Sequence, residues 1–235
     1  MTVVLAPGAT PVPAVTVAVT GSDGRFQVRR IYCVGRNYMD HIREMKESDG
    51  RDPPFFFQKP TDALVPDGAT VPYPPGTKDF QFEVELVAAI AKGGRDIPVE
   101  RAESHIFGYA IGIDFTRRDL QRDAGKRGLP WEMGKSFDHS APCGPIHLIA
   151  STGPIRKGAI MLSVNGAIRQ KGDIAQMIWN VPEIIANLSL QYELASGDLI
   201  YTGTPAGVGP VVPGDRIECA IDGLGKFAVS IGQKN

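Results

Sequence analysis

Phe80-Gln-Phe-Glu83-Val-Glu85-Leu86 sets Phe80, Phe82, Val84 and Leu86 against Glu83 and Glu85 by strict alternation. Side chains of an extended chain point to opposite faces in turn, so the apolar set can enter a core while two carboxylates stand about 7 Å apart on the other face. Like charges at that spacing repel. A divalent cation between them turns the repulsion into binding, and all-oxygen donors suit Mg2+, Mn2+ or Ca2+ better than zinc. A solvated strand face accounts for the same letters.

A third acid lies on a second alternating run, Tyr109-Ala-Ile-Gly-Ile-Asp114-Phe115, where Ile111, Ile113 and Phe115 oppose Ala110, Gly112 and Asp114. The small Ala110 and Gly112 leave room beside Asp114 for a ligand or for close approach of another backbone. Three acids on two strand faces make a candidate metal cup. The alternative for Asp114 is capping a helix that begins near Thr116. The reactive group nearest in kind lies in Gly35-Arg36-Asn37-Tyr38-Met39-Asp40-His41-Ile42-Arg43-Glu44-Met45. If Asn37 caps a helix there, His41 and Glu44 share a face three residues apart, and the carboxylate can orient the imidazole to take a proton from water. An exposed ion pair is the competing reading.

Outward from these runs, 27 Gly and 19 Pro punctuate many short alternating segments in 235 residues, the pattern of a β-rich fold with a few helices. Asn165-Gly166 predicts a tight hairpin, and Asp222-Gly-Leu-Gly225 predicts a second one between 216–221 and 226–231. Helices are expected at 37–46, 99–106, 117–127 and 181–190, the last capped by Asn180 with Pro182 and Glu183 behind it. Residues 1–27 read as an extended arm or edge strand. Their first twenty are apolar but lack Lys and Arg and are broken by Pro7, Pro11 and Pro13, which makes a poor signal peptide or membrane span. A 43% hydrophobic, 22% charged chain with a formal charge of -1 can bury a sizeable core and carries no basic stripe for nucleic acid or a membrane surface. A small-molecule partner is the expectation. Cys33, Cys143 and Cys219 have neither zinc nor disulfide spacing, in keeping with a reducing cytoplasm. Asp138-His139-Ser140 invites a serine-triad reading but lacks a nucleophile elbow.

Taken in order, Tyr32-Cys-Val-Gly-Arg-Asn-Tyr38 with His41 and Glu44, Glu83-Val-Glu85-Leu, Asp114-Phe-Thr-Arg-Arg-Asp-Leu-Gln121, Gly134-Lys135-Ser-Phe and Gly203-Thr-Pro-Ala-Gly-Val-Gly209 closely resemble the fumarylacetoacetate hydrolase family, within it the short acylpyruvase and fumarylpyruvate hydrolase type. The similarity spans roughly 28–232. It implies an α+β, β-rich mixed β-roll with a few short helices, residues 28–235 forming the catalytic domain of a cytoplasmic homodimer. It also implies Mg2+ or Mn2+ on Glu83, Glu85 and Asp114, and hydrolysis of the carbon–carbon bond of a small 2,4-diketo acid. Fumarylpyruvate, cleaved to fumarate and pyruvate in gentisate-type aromatic catabolism, is the implied substrate.

On the family mechanism, His41 oriented by Glu44 activates water, while Lys135 and Gln121 stand near the developing oxyanion or enolate. Arg118 and Thr204 contact the substrate carboxylate or keto oxygen, and Arg36 and Lys59 are candidates for a distal carboxylate. Longer family members carry a further acidic ligand where this chain reads Ile31-Tyr-Cys-Val34, so three protein ligands are expected. The loops 47–54 and 136–145 are expected to set pocket size. Competing activities are oxaloacetate decarboxylation, acylpyruvase action of broader specificity, keto-acid isomerisation or dehydration, and non-catalytic metal-dependent binding.

Overall fold

The computed structural model describes residues 13–45 and 52–234. Residues 1–12 of the expected arm and 47–51 of the first pocket loop lie outside the described residues. The architecture is the mixed β-roll expected, built on two large sheets. The six-stranded sheet runs in the order His147–Leu148, Ile106–Ile113, Val84–Ile90, Asp198–Tyr201, Arg30–Gly35, Phe55–Lys59. Only Asp198–Tyr201 and Arg30–Gly35 pair in parallel within it. The five-stranded sheet runs Ala167–Asp173, Ala159–Val164, Arg216–Ile221, Gly225–Lys234, Thr70–Tyr73. Both predicted hairpins belong to this second sheet, with Asn165 at φ 52° and Gly166 at φ 80° in the first turn.

Val84–Ile90 is buried along its whole length. Its even-numbered side chains join Tyr32, Val34, Ile111 and Ile113 in the main core, which the five-stranded sheet closes with Ile160, Leu162, Ile217 and Phe227. Its odd-numbered Val87 and Ala89 face a second core with Ile31, Cys33, Leu199 and Tyr201. The solvated-face reading of Glu83 and Glu85 is therefore wrong. Two-sided burial erases the polar–apolar contrast a half-exposed strand shows, and here it survives only at the acids. Residues 16–18 and 25–27, from the described part of the expected arm, form a two-stranded hairpin that lays Val17, Val19 and Phe26 onto the second core.

The two acid-bearing runs share one structural event. Phe80–Phe82 belongs to a three-stranded sheet with Thr116–Arg117 and Gly209–Pro210, whereas Val84–Ile90 belongs to the six-stranded one, and Glu83 is the residue between. The neighbouring strand changes sheet at the same level, between Ile113 and Thr116, where Asp114 sits. The Asp114 N–H donates to Glu83 O at 2.8 Å, so the two acids are adjacent across the crossing. The ladder break there leaves the Val84 N–H to the Gln170 side-chain oxygen, 3.0 Å away. Fully buried Gln170 also donates to Thr204 Oγ1 and Pro205 O, both at 2.8 Å, joining the sheets to the 203–209 loop. Gln170→Leu strands these groups, and a buried unsatisfied group costs about 1–3 kcal/mol. Thermal denaturation should show a Tm lower by roughly 2–12 °C for a chain of this size; an unchanged Tm would contradict the bridging role.

The helices follow the predictions with shifted ends. Val181–Gln191 has the expected capping box between Asn180 and Glu183. Arg118–Lys126 buries Arg118, Gln121 and Ala124, and Val99–Ala102 passes into a 3-10 turn at Glu103–His105. Met39–Glu44 is shorter than expected, and Asn37 is not its cap. The Asn37 amide instead donates to Trp179 O and Thr202 O, and its oxygen accepts from the Trp179 N–H, satisfying two distant loops.

Candidate metal centre and active site

Glu83, Glu85 and Asp114 are at most 4% exposed, and each offers a carboxylate oxygen within 4.8 Å of the others. Among the described residues they are the one such group of acids, cysteines and histidines, matching the three ligands expected. Three buried basic side chains accompany them. Lys135 Nζ donates to Glu83 Oε2 at 2.8 Å, Asp114 Oδ2 at 2.6 Å and Thr116 Oγ1 at 2.8 Å. Arg118 bonds the other Glu83 oxygen, and its remaining contacts go to Gln81 Oε1 at 2.9 Å and Gln121 Oε1 at 2.6 Å. Lys59 Nζ lies 2.8 Å from Asp114 Oδ1 while its hydrogen bonds go to Phe115 O and Lys135 O.

Electrostatics separate the acids. Burial opposes the Glu83 charge, but Lys135 and Arg118 outweigh it and hold the carboxyl well below the usual range. Burial, then the charges of Asp114 and Glu83, push Glu85 well up, against which work the Gly203 N–H, donating to Oε2 at 2.8 Å, and the Lys135 charge. Burial likewise opposes the Lys135 charge, yet Asp114 and Glu83 raise its pKa. A hard divalent cation fits this set. The donors are all oxygen, and Asp114 Oδ1 is buried with its Lys59 contact out of hydrogen-bond alignment, leaving an acceptor unused.

His41 is 8% exposed and lines the same cavity as the three acids. Its Nδ1 lies 3.3 Å from Glu44 Oε2, and the Gly207 N–H donates to Glu44 at 3.1 Å. Burial raises the Glu44 pKa, but these two bonds reverse the shift and lower it overall, keeping a carboxylate behind the imidazole. Burial of His41 overturns the exposed reading for the imidazole, whereas its partner Glu44 stays exposed. The 203–209 loop serves both halves of the site, giving Gly203 to Glu85 and Gly207 to Glu44.

The cavity lining brings together Arg36, His41, Glu83, Glu85, Asp114, Arg118, Gln121, Lys135 and Thr204 of the predicted residues. Lys59 is a correction. At 3% exposure it lies under Asp114 and off this lining, so it reaches neither solvent nor a distal substrate group. The exposed-turn reading of Arg118 and Gln121 also fails, since Arg118 braces Glu83 and Gln121 accepts from Arg118. The Thr204 hydroxyl donates to Val84 O at 2.8 Å and accepts from Gln170, which spends its proton inside the protein. Gly112 makes no room for a ligand, because an added Cβ would meet Tyr201 Cε1 at 2.5 Å and Val87 Cγ2 at 2.6 Å. Sequence reasoning missed Gln81, Thr116, Gln170 and Trp131. Gln81, two positions before Glu83 in the same alternation, carried the clearest signal, as a polar residue on the acids' face.

Lys135→Met tests the charge balance. Removing one partner of a buried ion pair costs about 3–5 kcal/mol, roughly 6–20 °C in Tm at this chain length. Added Mn2+ should recover more of that loss in the variant than it adds to the wild type, because it replaces the missing positive charge. Calorimetry with chelator and with Mn2+ measures both, and equal Mn2+ increments would refute the balance.

Residues 30–231 match the family model described as "Fumarylacetoacetate (FAA) hydrolase C-terminal". Over 178 residues, 76% of this chain and 92% of the relative, it is 46% identical to a fumarylpyruvate hydrolase of a Ralstonia species. It is 42% identical over 83% of its length, and 88% of the relative, to a mitochondrial oxaloacetate tautomerase of Mus musculus. The crystal structure of fumarylpyruvate hydrolase from Pseudomonas aeruginosa in complex with Mn2+ and pyruvate superposes with a TM-score of 0.94 at 50% identity, covering 97% of this chain and 99% of that one.

Proposed function

The chain belongs to the fumarylacetoacetate hydrolase family, and from that membership we propose that it hydrolyses the carbon–carbon bond of a 2,4-diketo acid, with fumarylpyruvate as the substrate and fumarate and pyruvate as products. The observation that carries this reading is His41, backed by Glu44, in one cavity with the three acids. A cation site alone would polarise a keto acid; a base beside it supplies the nucleophile that hydrolysis needs. The 50% identical neighbour crystallised with Mn2+ and pyruvate supports the pyruvate half of the substrate and the choice of Mg2+ or Mn2+.

Charge bookkeeping agrees. Lys59, Lys135 and Arg118 offset the three carboxylates one for one, so a bound divalent cation would leave the site two charges positive, matching a substrate carboxylate plus an enolate. When bound, Mg2+ or Mn2+ on Glu83, Glu85 and Asp114 supplies Lewis acidity toward the 2-keto oxygen. His41 takes a proton from water as the water oxygen adds to C4, and Glu44 holds the imidazole for that transfer. The C3–C4 bond then breaks, its electron pair staying with C3, which takes up the proton His41 removed from water and becomes the pyruvate methyl group, while C4 leaves as the new carboxyl group. Lys135, fixed between Glu83 and Asp114, places a positive charge beside the enolate without reorganisation. We assign this reaction to gentisate-type aromatic catabolism in a cytoplasmic homodimer.

The test is ultraviolet loss of the diketone chromophore of fumarylpyruvate, maleylpyruvate and acetylpyruvate, with oxaloacetate in parallel, with Mg2+ or Mn2+ and with chelator, products being separated by chromatography. Metal-dependent fumarate and pyruvate, fastest from fumarylpyruvate, is the expected result. The tautomerase relative supports a second reading, keto–enol exchange of oxaloacetate without cleavage. Exchange without any product acid from the diketo acids would establish that reading and sink hydrolysis.

A further inference from the structure

The cavity that holds the three acids has a free volume of about 30 Å³, room for about two waters. Beside it lies an open groove of about 650 Å³, walled by Phe55, Phe57, Pro130 and Tyr192 among others. Among the described residues, Trp131 alone lines both spaces, and none of 52–54 or 136–145, from the loops expected to set pocket size, lines the cavity. Trp131 is held from two directions. Its ring meets those of Phe55 at 5.2 Å and Phe57 at 6.1 Å, both edge to face. Its carbonyl accepts the Gly134 and Lys135 N–H groups at 2.8 and 2.9 Å, so the indole is carried by the same turn as the Lys135 ammonium. That turn is pressed onto the helix Arg118–Lys126, since a Cβ on Gly134 would lie 2.8 Å from the Gln121 backbone nitrogen. Edge-to-face rings and a bonded carbonyl leave the indole little freedom to swing aside.

The chemistry of the lining says what meets this wall. Apart from Gly35, its apolar residues are Val34, Met45 and Trp131, and the rest carry charges or hydrogen-bonding groups. The keto-acid head of a substrate belongs with the carboxylates, which leaves the hydrocarbon of the acyl group to the apolar side. We infer that Trp131 ends the acyl pocket and restricts the enzyme to short acyl groups, closing off the groove that a longer chain would otherwise enter. This rests on the diketo-acid reading and deepens it.

The experiment compares kcat/KM for acetylpyruvate and octanoylpyruvate in the wild type, Trp131→Phe and Trp131→Ala. Removing the indole joins the cavity to the groove, where each buried methylene contributes about fourfold. With two or three methylenes so buried, the octanoylpyruvate-to-acetylpyruvate ratio should rise by about 10- to 100-fold in Trp131→Ala, and Trp131→Phe should fall between. Both substrates are read on one preparation, so a misfolded fraction cancels in the ratio and lost stability alone does not move it. A second readout needs no turnover. Calorimetry in Mn2+ with pyruvate and with 2-oxooctanoate, which keeps the keto-acid head but has no 4-keto group to attack, should show the same relative gain for the longer acid in Trp131→Ala. An unchanged or lower ratio in either measurement would overturn the assignment. If the wild type cleaves no diketo acid, the proposed reaction has failed, and the ratio for the two 2-oxo acids still decides Trp131.

Discussion

Glu83→Gln raises the Mn2+ dissociation constant by at least about 100-fold, and turnover falls with it. Loss of a supporting group around a metal site typically costs 10- to 100-fold in affinity, and Glu83 is a proposed direct ligand. The substitution also upsets its surroundings. Lys135 and Arg118 each donate to a Glu83 oxygen, so a glutamine amide must turn its NH2 toward one of them, setting donor against donor. With one carboxylate gone, three buried cations face two anions, and the excess positive charge opposes a second cation. Isothermal titration with Mn2+ measures the effect directly. Equal affinity in the wild type and Glu83→Gln would remove the acidic cup from the mechanism.

His41→Ala is expected to lower kcat by about 10²- to 10⁴-fold, the usual contribution of a positioned general base, with Mn2+ affinity in the wild-type range. His41 lines the cavity without joining the acid cluster, so base and cation site separate cleanly by mutation. Glu44→Gln should cost less, because the imidazole remains while its carboxylate partner and the charge-assisted bond from Gly207 are weakened. Single-turnover rates and metal titration on both variants check the split. Parallel loss of kcat and Mn2+ binding in His41→Ala would move His41 from base to ligand. Pyruvate release from oxaloacetate that survives both changes would belong to decarboxylation, which needs no attacking water.

The alternation in Phe80–Leu86 and Tyr109–Phe115 exposed the three acids because period two assigns faces without knowledge of the fold. Asn165-Gly166 and Asn180 with Glu183 were legible for the same reason: turn and cap chemistry is local. What covers a face is not local. Lys59, Arg118 and Lys135 meet acids 55, 35 and 21 or more positions away, and nothing about a lone basic residue distinguishes one that will be buried. Asn37 looked like a helix cap because caps and long-range bridges use the same amide. Gly112 looked like ligand space because a missing side chain does not say which neighbour fills it, here Tyr201.

Glu83 and Asp114 mark the point where two paired strands leave one sheet for another. A one-residue slip between those strands would turn one acid away from the other, since each step along a strand reverses its face. The cation site therefore exists only in a chain whose two sheets have joined in the right register. Metal binding would in that sense report correct register: a mispaired chain lacks the three-oxygen set, and an ion bound there would tie the two strands together where they change sheets.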